Sequence, residues 1–70
     1  MHMIINSKKQ AIGLIVGFSI RETGRDDAML RVSIDNGAIT YEGRATEVAN
    51  IVTNAGLAAI KGRDLSVSMV

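Results

Sequence analysis

The sequence predicts an α+β domain, a mainly antiparallel sheet of four to five strands (β-β-β-β-α-β) with one helix packed on one face. Three observations carry that expectation. Large apolar residues occupy every second position from Ile12 through Leu14, Val16 and Phe18 to Ile20. Asn36-Gly37 sits between two alternating runs. From Gly43 to Lys61 the apolar spacing changes from a strand period to a helical one.

Taken in order, Met3-Ile4-Ile5 reads as a short first strand within His2 to Asn6, and Ser7-Lys8-Lys9 as a polar break. Gln10 to Glu22 reads as a long second strand. Its even positions are fully apolar, and its other face is nearly bare, with Gly13, Ile15, Gly17 and Ser19. Thr23 to Asp27 is a polar loop. The third strand runs from Met29 to Asp35, with Leu30, Val32 and Ile34 on one face, and the fourth from Ala38 to Glu42.

Asn36-Gly37 is the strongest short hairpin signal, because a type I′ turn needs positive φ at both central residues. It fixes a register in which Asp35 faces Ala38, Ile34 faces Ile39, Ser33 faces Thr40 and Val32 faces Tyr41. A slip of one residue would put apolar side chains on opposite faces.

Val48, Val52, Ala55 and Ala59 form one helical stripe with Ile51 at its edge. Gly43 or Thr46 suits the start of this helix, Lys61 its C-terminal turn and Gly62 the position just after it. Gly56 costs about 1 kcal/mol in a helix interior, and Leu57 points away from the stripe. Either the helix breaks near Asn54-Ala55-Gly56, or Leu57 meets a partner. Leu65 to Val70 alternates cleanly as a last strand, which pairs antiparallel with the first and gives the spatial order 5-1-2-3-4.

Seventy residues make one small domain (1–70), in which Met1-His2 reads as a cloning remnant before Met3. There is no cysteine, so neither a disulfide nor a thiolate metal site staples the fold. Hydrophobic residues are 47% of the chain, yet the only aromatics are Phe18 and Tyr41. A helix about 10 Å wide covers about half of a five-stranded sheet about 20 Å across. The uncovered half predicts a homodimer or higher oligomer. Its expected interface residues are Gly13, Ile15, Gly17, Leu57, Leu65, Val67 and Met69.

The net charge of +1 comes from eight basic and seven acidic residues, which gives no strong pull toward nucleic acid or an anionic membrane. The apolar run Ile12–Ile20 is about half the ~20 residues of a membrane helix. The expectation is a cytoplasmic protein.

Gly24-Arg25, Gly43-Arg44 and Gly62-Arg63 each follow a bend with a guanidinium, which can clamp phosphate or carboxylate. Arg44 also lies near a helix N-terminus, which favours anions. The competing reading is turn glycines beside solvated charges. A second candidate surface is the bare sheet face, where Arg31, Ser33, Thr40 and Glu42 accompany the glycines of the second strand. It is either a contact surface or a solvent face.

Asp26-Asp27 lacks the spaced carboxylates of a metal loop and reads as a solvated or dipole-facing pair. Apart from His2, no histidine or cysteine is present for the usual base or nucleophile chemistry. The expected function is therefore a non-enzymatic, homo-oligomeric binding protein without metal or cofactor. Its ligand would be an anionic small molecule such as a nucleotide, held at a subunit boundary by Arg25, Arg44, Arg63, Arg31, Ser33 and Thr40. The alternative is a protein-binding inhibitor or adaptor, of the kind phages carry as accessory proteins, acting through its sheet face or edge. Third comes a weak nucleic-acid binder.

Overall fold

The computed structural model describes residues 2–70, with the backbone alone for His2. The expectation for Met1 lies outside the described residues. The elements are β1 (His2–Ile4), α1 (Lys8–Thr23), β2 (Met29–Ile34), β3 (Ile39–Arg44), α2 (Ala45–Asn54), α3 (Leu57–Ile60) and β4 (Asp64–Met69). The class is α+β. The four strands form one antiparallel sheet in the order β1-β4-β2-β3, with the helices against it.

The expected second strand is corrected: residues 8–23 are a helix. The stretch from Ala11 to Ile20 satisfies two periods at once. Besides the alternation it places Ala11, Leu14, Ile15, Phe18 and Ser19 on one helical face, and these are the residues α1 buries. The ends decide between the two. Ser7, with extended backbone, accepts from the Gln10 amide at 3.2 Å, and the Gln10 side chain accepts from the Asn6 amide at 2.8 Å. This is close to a capping box. Gly24, at φ 73°, donates its N–H to the Ile20 carbonyl at 2.7 Å and closes the other end.

That change reorders the sheet. The last strand does pair with the first, Leu65 opposite Met3, as expected. It also pairs with β2, Val67 opposite Val32, so it runs through the centre of the sheet rather than along its edge. The hairpin follows the predicted register at Ile34–Ile39, Ser33–Thr40 and Val32–Tyr41, but the ladder ends there: the expected Asp35–Ala38 pair does not form, because Asp35 leaves the strand at φ 53° and joins the turn. Asn36 and Gly37 both have positive φ, 58° and 98°, and the Ala38 N–H donates to the Asp35 carbonyl, as a type I′ turn requires.

The second helix breaks where Gly56 stands, at φ 91° and ψ 150°, a backbone region essentially reserved for glycine. Of the expected stripe, Val48 and Val52 are buried with Ala45 and Ala49. Ala55 and Ala59, beyond the last full turn of α2 or past the break, are exposed instead.

The core lies between one face of the sheet and the helices. Leu30, Val32, Ile34, Leu65 and Val67 face Ile5, Leu14, Ile15, Phe18, Val48, Val52 and Ile60. Burying each large side chain contributes about 1.5–3 kcal/mol. The partner once needed to cover half the apolar sheet face is supplied by α1 of the same chain, so that ground for an oligomer disappears. The opposite sheet face carries no helix.

Candidate interaction site on the open sheet face

Residues paired directly across adjacent strands point to the same side of a sheet. Thr40, Ser33 and Ser66 are aligned across β3, β2 and β4, and so form one row. Glu42, Arg31 and Ser68 form the next. Arg44 and Met29 extend the face at one end, Asp64 and Ile4 at the other. With strands ~4.8 Å apart, each three-residue row spans roughly 10 Å, and successive rows are about 7 Å apart. Ser33 and Ser66, at the centre, are half-buried although no helix covers them, because short side chains in mid-sheet are shielded by their neighbours.

The charge on this face is largely cancelled. Arg31 Nε donates to Glu42 Oε1 at 2.8 Å, with both side chains about half exposed. The face therefore presents hydroxyls at its centre, one ion pair beside them, and at its ends Met29 beside Arg44 and Ile4 beside Asp64, with Met29 and Ile4 each about half exposed. Edge strand β3 pairs only with β2, so one side of its backbone is unpaired within the described residues.

Of the expected surface, Arg31, Ser33, Thr40 and Glu42 share this face. Gly13, Ile15, Gly17 and Ser19 do not, because they belong to α1. Ser66 and Ser68 were missed. Their alternation with Leu65, Val67 and Met69 was visible, but their place beside β2 depended on the last strand entering the sheet centre.

The loop arginines fall into two groups, at opposite ends of β2, which is about 17 Å long. Arg63 donates from Nε and Nη2 to Asp35 Oδ2 at 2.8 and 2.7 Å, and from Nη1 to the Ala59 carbonyl. The other Asp35 oxygen accepts from the Asp64 amide. Arg63 thus ties the hairpin turn to the start of β4, and its guanidinium holds the Asp35 carboxyl below the usual carboxylate range. Asp35 itself has positive φ (53°), an uncommon conformation outside glycine, and these contacts fix it there.

At the other end, Asp27 Oδ1 accepts from the Thr46 hydroxyl at 2.8 Å and from the Thr46 amide at 3.2 Å. These two bonds, the hydroxyl first, hold the Asp27 carboxyl below its ordinary value; Arg44 and Arg25 add smaller contributions. Arg44 occupies the cap position of α2 without a side-chain cap bond. The chain's own Asp27 therefore fills the anion position at the N-terminus of α2. The dipole-facing reading of this aspartate describes its place.

Asp27 is aimed by Ser19. Buried within α1, Ser19 donates its hydroxyl to the Arg25 carbonyl at 2.7 Å and accepts from the Ala28 amide at 2.9 Å. Thr23 accepts from the Arg25 amide. The loop that carries Arg25 and Asp27 is thereby bonded to the last turns of α1.

Three expected interface residues are corrected. Ile15, Leu65 and Val67 are at most 1% exposed, because they form the chain's own core. Leu57 and Met69 are exposed, and Gly13 and Gly17 lie on α1 with open space beside them. The described residues enclose no pocket, contain no cluster of three or more histidine, cysteine or acidic residues fit to hold a metal ion, and include no helix long and apolar enough to cross a membrane. No protein-family model matches the chain, and no curated protein or solved structure matches it.

Proposed function

We propose that this chain is a small non-enzymatic binding module whose partner is a protein, engaged across the open sheet face and its β3 edge. The observation that carries this reading is the flat hydroxyl row Thr40–Ser33–Ser66 with the ion pair Arg31–Glu42 beside it. Small-molecule sites are concave, whereas protein interfaces tolerate flat, mixed surfaces with a few apolar anchors. Met29 and Ile4 supply such anchors. An extended segment could also add to the β3 edge through main-chain hydrogen bonds.

A nucleotide-type anion has less support. The loop arginines stand at two ends of the sheet, Asp35 and Glu42 already pair with Arg63 and Arg31, and Asp27 already occupies the N-terminus of α2 beside Arg44. A nucleic-acid partner lacks an exposed aromatic row, since Tyr41 packs against the core.

The test is site-specific photo-crosslinking in the host cell. A photoreactive residue replacing Ser33 should give discrete protein adducts, and one replacing Asn54, exposed at the end of α2, should not. No protein adduct from position 33, together with thermal stabilisation of the purified protein by a nucleotide, would overturn the proposal.

A further inference from the structure

The near-even charge count of the chain conceals a segregation. At the Met29 end of the sheet every basic side chain has an acidic neighbour. Arg21 stands 3.7 Å from Glu22, Arg31 pairs with Glu42, and the Asp27 carboxylate feels both Arg44 and Arg25. The opposite end differs. There Arg63 is bound to Asp35, and Asp64, the other acid, is half-buried. All three lysines of the chain, Lys8, Lys9 and Lys61, also lie at this end. Each is exposed, and none forms an ion pair among the described residues.

The topology gathers these lysines. Ile5 follows β1, and its carbonyl accepts from the Gly62 amide at 2.6 Å. Lys61 immediately precedes Gly62, and Lys8 comes three residues after Ile5. Backbone dimensions therefore hold the Cα atoms of Lys8 and Lys61 within about 15 Å of each other. Lys9 adjoins Lys8 on the first turn of α1. The three form one basic corner, at the end of the molecule where Ile4 closes the open face.

Resting on the protein-partner reading above, we propose that this corner receives an acidic segment of the protein that covers the open face, and so fixes which way round that partner sits. Carboxylates spread along a chain fit better than one small anion. Lysine is a point charge without the fork by which arginine clamps a phosphate, and Arg63 is already held by Asp35 and the Ala59 carbonyl. No pocket converges the three charges on a single group. A spread of up to about 15 Å matches an extended segment, in which acids two residues apart stand about 7 Å from each other on one side. Three lysines are also few for a bilayer or a nucleic acid, which are met by clusters of about four to eight basic residues or about six to ten phosphate contacts. Charges of this kind set the orientation and rate of docking more than its strength, and the balanced Met29 end does not compete.

The test adds charge reversals to the photo-crosslinking at position 33. Lys61→Glu and Arg21→Glu change the net charge equally, at opposite ends of the molecule. With each variant shown to be folded by circular dichroism, Lys61→Glu should lower the adduct yield and Arg21→Glu should not. The triple variant Lys8→Glu, Lys9→Glu, Lys61→Glu should lower it at least ~10-fold. With the purified protein, poly-L-glutamate at low salt should shift the backbone NMR signals of residues 8, 9 and 61, and salt should reverse the shifts. Unchanged adducts from the lysine variants would overturn the inference and leave the protein-partner reading standing. No adduct from position 33 with the lysines intact would remove both. An equal loss from Arg21→Glu would overturn the inference, because net charge alone would then account for it. So would signals that move with DNA or with phosphatidylserine vesicles while poly-L-glutamate is inert.

Discussion

Replacing Ser19 by alanine removes one buried oxygen and two hydrogen bonds that hold the loop after α1. The carbonyl of Arg25 loses a 2.7 Å donor, but Thr23 Oγ1 remains 3.3 Å away as a substitute. The Ala28 amide, half-buried, loses its acceptor outright. An orphaned, partly buried N–H costs about 1–3 kcal/mol, and the carbonyl adds less than 1. The expected loss is about 2 kcal/mol, or roughly 8–16 °C in Tm for a domain of this size. Thermal unfolding followed by circular dichroism, with a urea titration beside it, measures the loss. Because the loop carries Asp27 onto Thr46, Ser19→Ala and Asp27→Ala together should cost less than the sum of the two. A Ser19→Ala protein within about 0.5 kcal/mol of wild type would refute the claim that this hydroxyl anchors the loop.

Three further outcomes follow from particular contacts. Gly56→Ala should lose about 1–3 kcal/mol of stability although its Cβ would meet nothing, because φ 91° and ψ 150° strain any L side chain; urea midpoints check this. Asp27 and Asp35 have carboxyls held below their unfolded value of ~3.9, so the stability they contribute is present above about pH 4 and is lost as the pH falls through their folded values. Asp35→Asn should flatten the acid limb of Tm against pH, and an unchanged limb would contradict that role. Arg31→Ala breaks an exposed ion pair and should change stability by less than about 1 kcal/mol, which makes it usable for binding assays; a larger loss would mean that Arg31 is structural.

The hairpin was the most legible part of the chain. Asn36-Gly37 admits one turn geometry, and the apolar pattern on either side admits one register. The break at Gly56 was also legible, because glycine there and Leu57 off the stripe both argued against a continuous helix. Residues 10–22 were not. Leu14 and Phe18 serve either face, and Ile15 stands on the helix face while Ile12, Val16 and Ile20 stand on the strand face, so periodicity could not arbitrate. The deciding signals were local: Ser7 and Gln10 three residues apart, Gly24 seventeen residues after Ser7, and a proposed strand about twice the usual length. Misplacing that segment carried the glycines and Ser19 onto the wrong surface. It also hid Ser66 and Ser68, whose row exists only because β4 enters the sheet where the expected strand would have been.

Ile12 and Ile15 exchange roles between the two readings of this segment, so their alanine variants test the helix most directly. With α1 helical, Ile15 is fully buried and Ile12 is 44% exposed. In dilute solution, Ile15→Ala should lose about 2–5 kcal/mol or fail to fold, with Ile15→Val as a graded variant losing about 0.5–1.5, and Ile12→Ala should lose less than about 1. The reverse order, with Ile12→Ala severe and Ile15→Ala near neutral, would restore the strand and contradict the helix, and with it the open sheet face.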